Sequence, residues 1–325
     1  MTAAARRLMK TPWLVRAVGR KRPDPDLDRQ IAAALELQRI MRLPALDSME
    51  PAQARRFAEE GMSPLDVDLE PMAEVIDTSV DSTPVRIFVP HAATGDWFVY
   101  FHGGGGVIGS IAASEPVTRF IAARTRCTVA SVQYRLAPEH KHPAAIDDAT
   151  AAFQALAARV PAGKQLAVGG DSFGGFLTAH VDHHARTTGG RTPDLQVLVY
   201  PLVDLTLASP SIERLADGYL LTKRMVHWFR DHYLHADDDQ RAGSPWFWTD
   251  LEGSAPAIVA TAGFDPLVDE GNAWVGRLRA AGTEVRHLEN PSLVHGFLSL
   301  AGAVDAARRA TERICDEVAS MLRRG

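Results

Sequence analysis

Cysteine is scarce in this sequence. The 325 residues include two cysteines, Cys127 and Cys315, so at most one disulfide can form. This count excludes the disulfide frameworks that hold small secreted domains together. Cys127 lies in a predicted core strand and Cys315 in the predicted last helix, where buried free thiols are common. We therefore expect neither cysteine to take part in function.

A large excess of one charge and a long apolar run are also missing. The chain has 35 Lys and Arg against 40 Asp and Glu, a formal net charge of -5. Nucleic-acid binding needs a clustered excess of Lys and Arg, so we exclude nucleic acid as the main partner. No apolar run is long enough for a membrane span or a signal-peptide core. We expect a cytoplasmic protein without stable membrane insertion, and the sequence leaves open whether it forms a homodimer.

One local exception to the balanced charge is the first 22 residues. Their basic side chains are Arg6, Arg7, Lys10, Arg16, Arg20, Lys21 and Arg22. Such a cluster could contact an anionic surface, but it is typical of a solvated helix face, which is our interpretation.

The order of strand-like and helical runs indicates the fold class. Apolar residues make up 46% of the chain, enough for a sizeable core. Short β-branched and aromatic runs alternate with helical runs, and the predicted strands are residues 85–89, 97–101, 127–132, 166–168, 195–200, 257–261 and 285–288. This alternation predicts an α/β fold with a mostly parallel sheet covered by helices on both faces. We expect the functional site at the carboxyl ends of the strands.

Two helical segments fall outside this alternation. They are residues 1–46 and residues 205–242, the second with a helical run at 222–234. We predict that both segments pack together as a cap over the strand ends, while residues 47–204 and 243–325 form the core. The alternative is that they are two unrelated additions at the periphery.

The segment Gly170-Asp171-Ser172-Phe173-Gly174 matches the pattern G-x-S-x-G and lies between a predicted strand and a predicted helix. In this context the pattern is typical of a sharp turn that exposes a nucleophilic serine. Glycine is needed at the flanking positions because side chains there would collide with neighbouring backbone. Ser172 is therefore the candidate nucleophile.

A second glycine-rich segment, His102-Gly103-Gly104-Gly105-Gly106, directly follows the predicted strand at 97–101. Four consecutive glycines are costly in conformational entropy, which indicates unusual dihedral angles or close approach of backbone to a ligand. The N–H groups of this loop, with that of Phe173, could stabilise the negative oxygen that forms when a serine attacks a carbonyl. The alternative is a flexible surface loop.

A serine nucleophile needs a base and a carboxylate that orients the base. His295 follows a late predicted strand and is the candidate base. Asp265 follows the strand predicted at 257–261, and we assign it to orient His295. Asp269 is the alternative carboxylate, although we expect Asp269 and Glu270 to cap the next helix. The resulting order Ser, Asp, His is the order already known for α/β hydrolases.

The other histidines offer a weaker alternative, a metal site. One predicted helix carries His180, Asp182, His183 and His184. This segment lacks the H-E-x-x-H pattern of zinc enzymes, and nothing else supports a metal. We expect neither a metal nor another cofactor.

Taken together, these motifs resemble those of a known family, the hormone-sensitive-lipase-like bacterial carboxylesterases. The resemblance covers the chain from about residue 70 to its end, and its motifs are His102–Gly105, Tyr134–His140, Gly170–Gly175, Tyr200–Pro201, Asp265–Leu267 and His295–Phe297. It implies an eight-stranded α/β-hydrolase core with a helical cap, and hydrolysis of short to medium acyl esters without a cofactor.

The resemblance also implies roles for individual residues. They are Ser172 as nucleophile, Asp265 as acid, His295 as base, and Gly104, Gly105 and Phe173 as oxyanion donors. Residues 134–139 resemble a structural segment of the family rather than a catalytic one. Two positions depart from the family pattern: Phe173 stands where alanine is usual, and Gly106 stands where an aromatic residue is common. The shape of the substrate pocket is therefore open.

Three other functions remain alternatives. An amidase or arylacetamide deacetylase would use the same residues and differ in its leaving group. A ligand-binding receptor on this fold, as in the plant gibberellin receptors, would lose catalytic groups, whereas Ser172, Asp265 and His295 are all present. A structural or interaction protein would leave the glycine run unexplained.

Overall fold

An eight-stranded sheet forms the centre of the structure, a computed structural model that describes residues 10, 11, 15, 24–62 and 65–323. The strands are β1 (Glu74–Val80), β2 (Thr83–Val89), β3 (Trp97–Phe101), β4 (Thr128–Val132), β5 (Leu166–Asp171), β6 (Leu195–Val199), β7 (Ala257–Phe264) and β8 (Val285–Val294). Their order in the sheet is β1-β2-β4-β3-β5-β6-β7-β8. Pairing is antiparallel for β1 with β2 and for β2 with β4, and parallel for the other five pairs. The predicted mostly parallel sheet is confirmed.

Helices cover both faces of this sheet. The α-helices of the described residues are α1 (Arg29–Met41), α2 (Pro51–Met62), α3 (Ile111–Thr125), α4 (Ala144–Ala157), α5 (Phe173–Thr188), α6 (Pro210–Arg214), α7 (Lys223–Tyr233), α8 (Val268–Ala280) and α9 (Asp305–Leu322). Successive residues of β3 point to opposite faces, so Phe98 joins an apolar cluster with α3 and α9, while Val99 joins a second cluster with α4 and α5. A strand buried on both faces is apolar along its whole length, as the sequence pattern of β3 indicated.

Strand β1 is absent from the sequence-based prediction. Its residues are mostly exposed because it lies at the edge of the sheet and pairs with β2 alone. The tight turn to β2 uses Asp81 and Ser82, both with positive φ (45° and 72°), without a glycine. The sequence therefore lacks the two usual signals of a hairpin, which are alternating apolar residues and a turn of the Asn-Gly type.

The last two strands are longer than predicted. The prediction ended β7 at Thr261 and β8 at Leu288, whereas the strands continue to Phe264 and Val294. The extension contains an irregularity of pairing near Gly263 and passes Pro291 on the partner strand. A Cβ atom on Gly263 would lie 2.7 Å from the carbonyl carbon of Pro291. Glycine at position 263 therefore allows the proline of the neighbouring strand to pack closely against it.

The segment before β1 is anchored to the core through α1. The Asp28 side chain accepts hydrogen bonds from the N–H groups of Gln30 and Ile31 at the start of this helix. Leu27 and Ile31 are buried in the same apolar cluster as Phe98. The division of the chain into cap and core segments stays a prediction, and the basic cluster of the first 22 residues lies outside the described residues except for Lys10.

A salt bridge joins the short segment between α1 and α2 to the insertion after β6. Arg224 of α7 donates from Nε to Asp47 Oδ2 at 2.8 Å. The side chain of Asp47 is nearly buried. The insertion after β6 therefore contacts the segment that links α1 and α2. Within the described ranges, no helix is long and apolar enough to cross a membrane.

The packing of α1 predicts a clear difference between two isoleucines on this helix. Ile31 is 0% exposed and Ile40 is 57% exposed. We expect Ile31→Ala to lower the free energy of unfolding by about 2–5 kcal/mol because it leaves a cavity. The matched control Ile40→Ala should change it by less than about 0.5 kcal/mol. Denaturant unfolding measures both values, and equal effects would show that α1 is not packed as described.

Candidate active site

Ser172 lies at the turn between β5 and α5, at the carboxyl edge of the sheet. Its backbone angles, φ 55° and ψ -114°, are rare for a residue other than glycine. The turn fits only because its neighbours lack side chains: a Cβ on Gly174 would lie 2.8 Å from the carbonyl carbon of Phe101, and one on Gly170 would lie 2.7 Å from the backbone of Gly174. The hydroxyl of Ser172 lines a large cavity.

The glycine loop that follows β3 lies against this turn. Gly104, Gly105 and Gly106 all have positive φ (112°, 61° and 72°), which accounts for glycine at each position. Within residues 65–323, no hydrogen bond uses the N–H groups of Gly104, Gly105 or Phe173. Gly104, Gly105 and Phe173 line the same cavity as Ser172. The structure thus brings together the three predicted oxyanion donors and the predicted nucleophile.

Asp171 holds the glycine loop in place. Its Oδ1 accepts hydrogen bonds from the N–H of Gly103 at 2.9 Å and from the hydroxyl of Tyr100 at 2.6 Å. A Cβ on Gly103 would lie 3.1 Å from the carboxyl carbon of Asp171, so glycine permits this close approach. The residue before the serine therefore positions the loop rather than the nucleophile.

The segment at 134–139 supports the same loop from the other side. The hydroxyl of Tyr134 donates to the carbonyl of His102 at 2.7 Å, and Ala137 donates to the carbonyl of Gly106 at 2.8 Å. Burial lowers the pKa of His102, so this imidazole is neutral. These contacts agree with the structural role expected for this segment.

Arg55 attaches α2 to the glycine loop and to the segment at 134–139. It donates to the carbonyl groups of Val107 and Ala137, both at 2.8 Å. Arg55 also forms a bidentate salt bridge with Glu139. Hydrogen bonding from Arg55 lowers the pKa of the Glu139 carboxyl to about 2, so the pair is charged at neutral pH.

His295 lies between Ser172 and Asp265. Its Nε2 is 2.9 Å from Ser172 Oγ, and its Nδ1 is 2.8 Å from Asp265 Oδ2. Asp265 is 1% exposed, and its second oxygen accepts the N–H of Leu267 at 2.8 Å. Asp269, the alternative carboxylate, instead forms a salt bridge with Arg214. Residues that are far apart in sequence therefore form one chain of hydrogen bonds.

Two residues near this chain were not singled out as site residues from sequence. Tyr200 packs its ring on His295, with ring centres 4.7 Å apart. Glu270 is buried, and its Oε1 accepts the N–H groups of Val203 and Asp204 at 2.8 and 3.2 Å. Glu270 was predicted only as a helix cap, because its acceptor role depends on a loop more than sixty residues earlier.

Phe173 and Gly106, the two departures from the family pattern, fit together in space. The ring of Phe173 is fully buried and packs edge-on against Tyr233 of α7, with ring centres 4.9 Å apart. A Cβ on Gly106 would lie 2.8 Å from Cζ of Phe173. An aromatic side chain at position 106 could not coexist with this ring, so the bulk has moved from the glycine loop to the residue after the serine.

A cavity of about 720 Å³ opens over Ser172 and His295. Its walls come from the N-terminal segment, the glycine loop and α7, and they are mostly apolar. Lining residues include Ile31, Leu35, Met41, Leu46, Phe57, Ile108, Leu205, Tyr219, Leu221, Met225 and Phe229. A pocket of this size and polarity is typical of a site for a small uncharged ligand.

The histidine-rich helix α5 has structural contacts. His180 packs between Phe176 and Trp248, and burial lowers its pKa to about 3. His183 stacks on Trp248 and contacts Asp250. Among the residues that the structure describes, no group of three or more His, Cys, Asp or Glu could hold a metal ion.

Comparison with known proteins identifies the family. Residues 98–299 match the family described as alpha/beta hydrolase fold. The carboxylic ester hydrolase LipN of Mycobacterium tuberculosis is 44% identical over 220 residues, which are 62% of this chain and 57% of LipN. The carboxylesterase NlhH of the same organism is 36% identical over 71% of this chain and 76% of its own length.

A solved structure shares the fold over nearly the whole chain. It is an alpha/beta hydrolase enzyme from the metagenome of Lake Arreo, Spain, with 33% identity and a TM-score of 0.87. The match covers 91% of this chain and 99% of that one.

The buried Glu270 predicts a pH-dependent contribution to stability. Burial raises the pKa of its carboxyl well above the usual value. A carboxyl with a raised pKa stabilises the fold at low pH, and this contribution is lost as the pH rises through the folded-state pKa. Glu270→Gln keeps an acceptor for both N–H groups but cannot ionise. The melting temperature of the wild type minus that of Glu270→Gln should therefore fall between about pH 5 and about pH 8.

Asp269→Asn is the control for this experiment. The salt bridge to Arg214 lowers the pKa of Asp269, so its contribution is lost only at pH values below this window. The corresponding difference in melting temperature should stay constant from about pH 5 to about pH 8. Parallel slopes for the two variants would contradict the assignment to Glu270.

Proposed function

Because this chain belongs to the hormone-sensitive-lipase-like carboxylesterases of the α/β-hydrolase fold, we propose that it hydrolyses carboxylic esters through a triad of Ser172, His295 and Asp265. The observation that supports this proposal most directly is the hydrogen-bonded chain from Ser172 Oγ through the imidazole to Asp265, with distances of 2.9 and 2.8 Å. The distances suit transfer of the serine proton to His295 Nε2.

In the proposed mechanism, Ser172 Oγ attacks the ester carbonyl while His295 takes its proton. Asp265 accepts the Nδ1–H of His295, which fixes the tautomer and stabilises the imidazolium. The N–H groups of Gly104, Gly105 and Phe173 bind the oxyanion. They suit this role because they have no other acceptor within residues 65–323 and therefore need no rearrangement.

Collapse of the tetrahedral intermediate releases the alcohol, protonated by His295, and leaves an acyl group on Ser172. A water molecule, activated by the now neutral His295, attacks this acyl-enzyme and releases the acid. Every bond change is an acyl transfer or a proton transfer, so the residues of the triad and the oxyanion donors are sufficient for the reaction.

The proposed substrates are uncharged esters with short to medium acyl groups. The mostly apolar walls of the cavity favour hydrocarbon groups on both sides of the ester. The names of LipN and NlhH, a carboxylic ester hydrolase and a carboxylesterase, agree with an ester as substrate. An amide remains the alternative, and its hydrolysis would be measured with the anilide of the same acid.

The nucleophile assignment predicts the effect of Ser172→Ala. Loss of the attacking oxygen should lower kcat for a chromogenic ester by a factor on the order of 10⁶, as for other serine nucleophiles. The release of nitrophenolate measures the rate, and the melting temperature serves as the control for folding. More than a few per cent of the wild-type rate in pure, folded variant would refute the assignment.

The choice of carboxylate predicts unequal effects for two neighbouring aspartates. Asp265→Asn should lower kcat by about 10⁴, because His295 would then be held in the wrong tautomer. Asp269→Asn removes a salt bridge to Arg214 at the surface and should leave kcat close to that of the wild type. Steady-state rates of both variants on the same ester test this, and a larger loss in Asp269→Asn would reverse the assignment.

A further inference from the structure

The side chain of Phe229, from α7, is the nearest one to Gly105 of the glycine loop. A Cβ atom built on Gly105 would lie 2.6 Å from both Cβ and Cδ1 of Phe229, and its three nearest atoms all belong to Phe229. Phe229 is therefore in van der Waals contact with Gly105 itself. Phe229, Gly105 and Ser172 line the same cavity.

Contacts along α7 hold Phe229 in this position. Tyr233 lies four residues later, on the same face of the helix. It is 1% exposed and packs on the buried ring of Phe173. The carbonyl of Tyr233 accepts the N–H of His142, which attaches the end of α7 to the core. Trp228 packs edge-on against Phe229, with ring centres 5.2 Å apart. The ring of Phe229 is thus one wall of the site.

The position of the Phe229 ring limits the size of the groups that are bonded directly to the carbonyl carbon of the substrate. If the proposed hydrolysis is correct, the carbonyl carbon lies at Ser172 Oγ and its oxygen lies at the N–H groups of Gly104, Gly105 and Phe173. Atoms bonded directly to that carbon must then lie beside Gly105. Groups farther along the acyl chain extend into the rest of the cavity, where the walls are more distant from Gly105.

We propose that Phe229 is a specificity-determining residue that excludes esters branched at the carbon next to the carbonyl. The proposal rests on the proposed function and adds a substrate class to it: esters of unbranched acids are accepted, whereas esters of acids branched at this carbon are rejected by contact with the ring. The mechanism is steric, because the ring and an added methyl group would occupy the same volume beside the oxyanion loop.

The experiment compares three nitrophenyl esters, the acetate, the isobutyrate and the pivalate. For each enzyme, the kcat/KM ratios of isobutyrate to acetate and of pivalate to acetate are measured. A ratio within one preparation is unaffected by the fraction of active protein, so a purely structural effect does not change it. We expect low ratios in the wild type and a rise of about tenfold or more for pivalate in Phe229→Ala, with a smaller rise in Phe229→Leu.

Met225→Ala is the matched control. Met225 lies one turn earlier on α7 and lines the same cavity, but it is not among the atoms nearest to Gly105. This variant enlarges the cavity elsewhere and should leave both ratios unchanged. An equal rise in Met225→Ala would assign the effect to cavity volume and overturn the proposal.

The other outcomes also decide the proposal. Unchanged ratios in Phe229→Ala and Phe229→Leu would overturn it while leaving the ester hydrolase assignment intact, as would a wild type that hydrolyses pivalate as fast as acetate. If Phe229→Ala does not fold, the ratios in Phe229→Leu decide. A wild type that releases no nitrophenolate from any of the three esters would instead refute the proposed function itself.

Discussion

The parallel pairing of β3 with β5 is the constraint on which the rest of the site depends. Phe101 pairs with Gly170, so the glycine loop and the serine turn leave the sheet side by side. The carbonyl of Phe101 then lies so close to the turn that positions 170 and 174 must lack side chains. The same proximity lets Asp171 bind the N–H of Gly103 at 2.9 Å. One strand register thus positions both the proposed nucleophile and its oxyanion donors.

The proposed base, His295, and its proposed carboxylate, Asp265, follow strands on the other side of β5 from β3. Asp265 directly follows β7 and His295 directly follows β8, and parallel strands bring their carboxyl ends to one edge. The lengths of β7 and β8 therefore determine how far each side chain reaches. Their pairing is irregular near Gly263, so the part of the sheet that departs from regular geometry directly precedes Asp265, the proposed acid.

Sequence predicted those features whose cause is local. The parallel sheet, Ser172, the glycine loop and the order of the other two candidates all come from short patterns at strand ends. Edge strand β1 was missed because exposed strands lack an apolar signature. Glu270 and Tyr200 were not identified as site residues because their partners, Val203 and His295, lie far away in sequence. The contact of Phe229 with Gly105 likewise depends on how α7 packs against the rest of the chain, which no local pattern encodes.

The small residue at position 106 and the large residue at position 173 fit together beside the cavity. A side chain at position 106 would project from a loop, whereas the ring of Phe173 projects from the first turn of a buried helix. That ring is enclosed by Tyr134, Phe176 and Tyr233, so it has little freedom to move. Because Tyr233 belongs to α7, this packing also makes α7 part of the aromatic core. The wall above the glycine loop is consequently formed by α7 and supported by Phe173, the residue next to the serine.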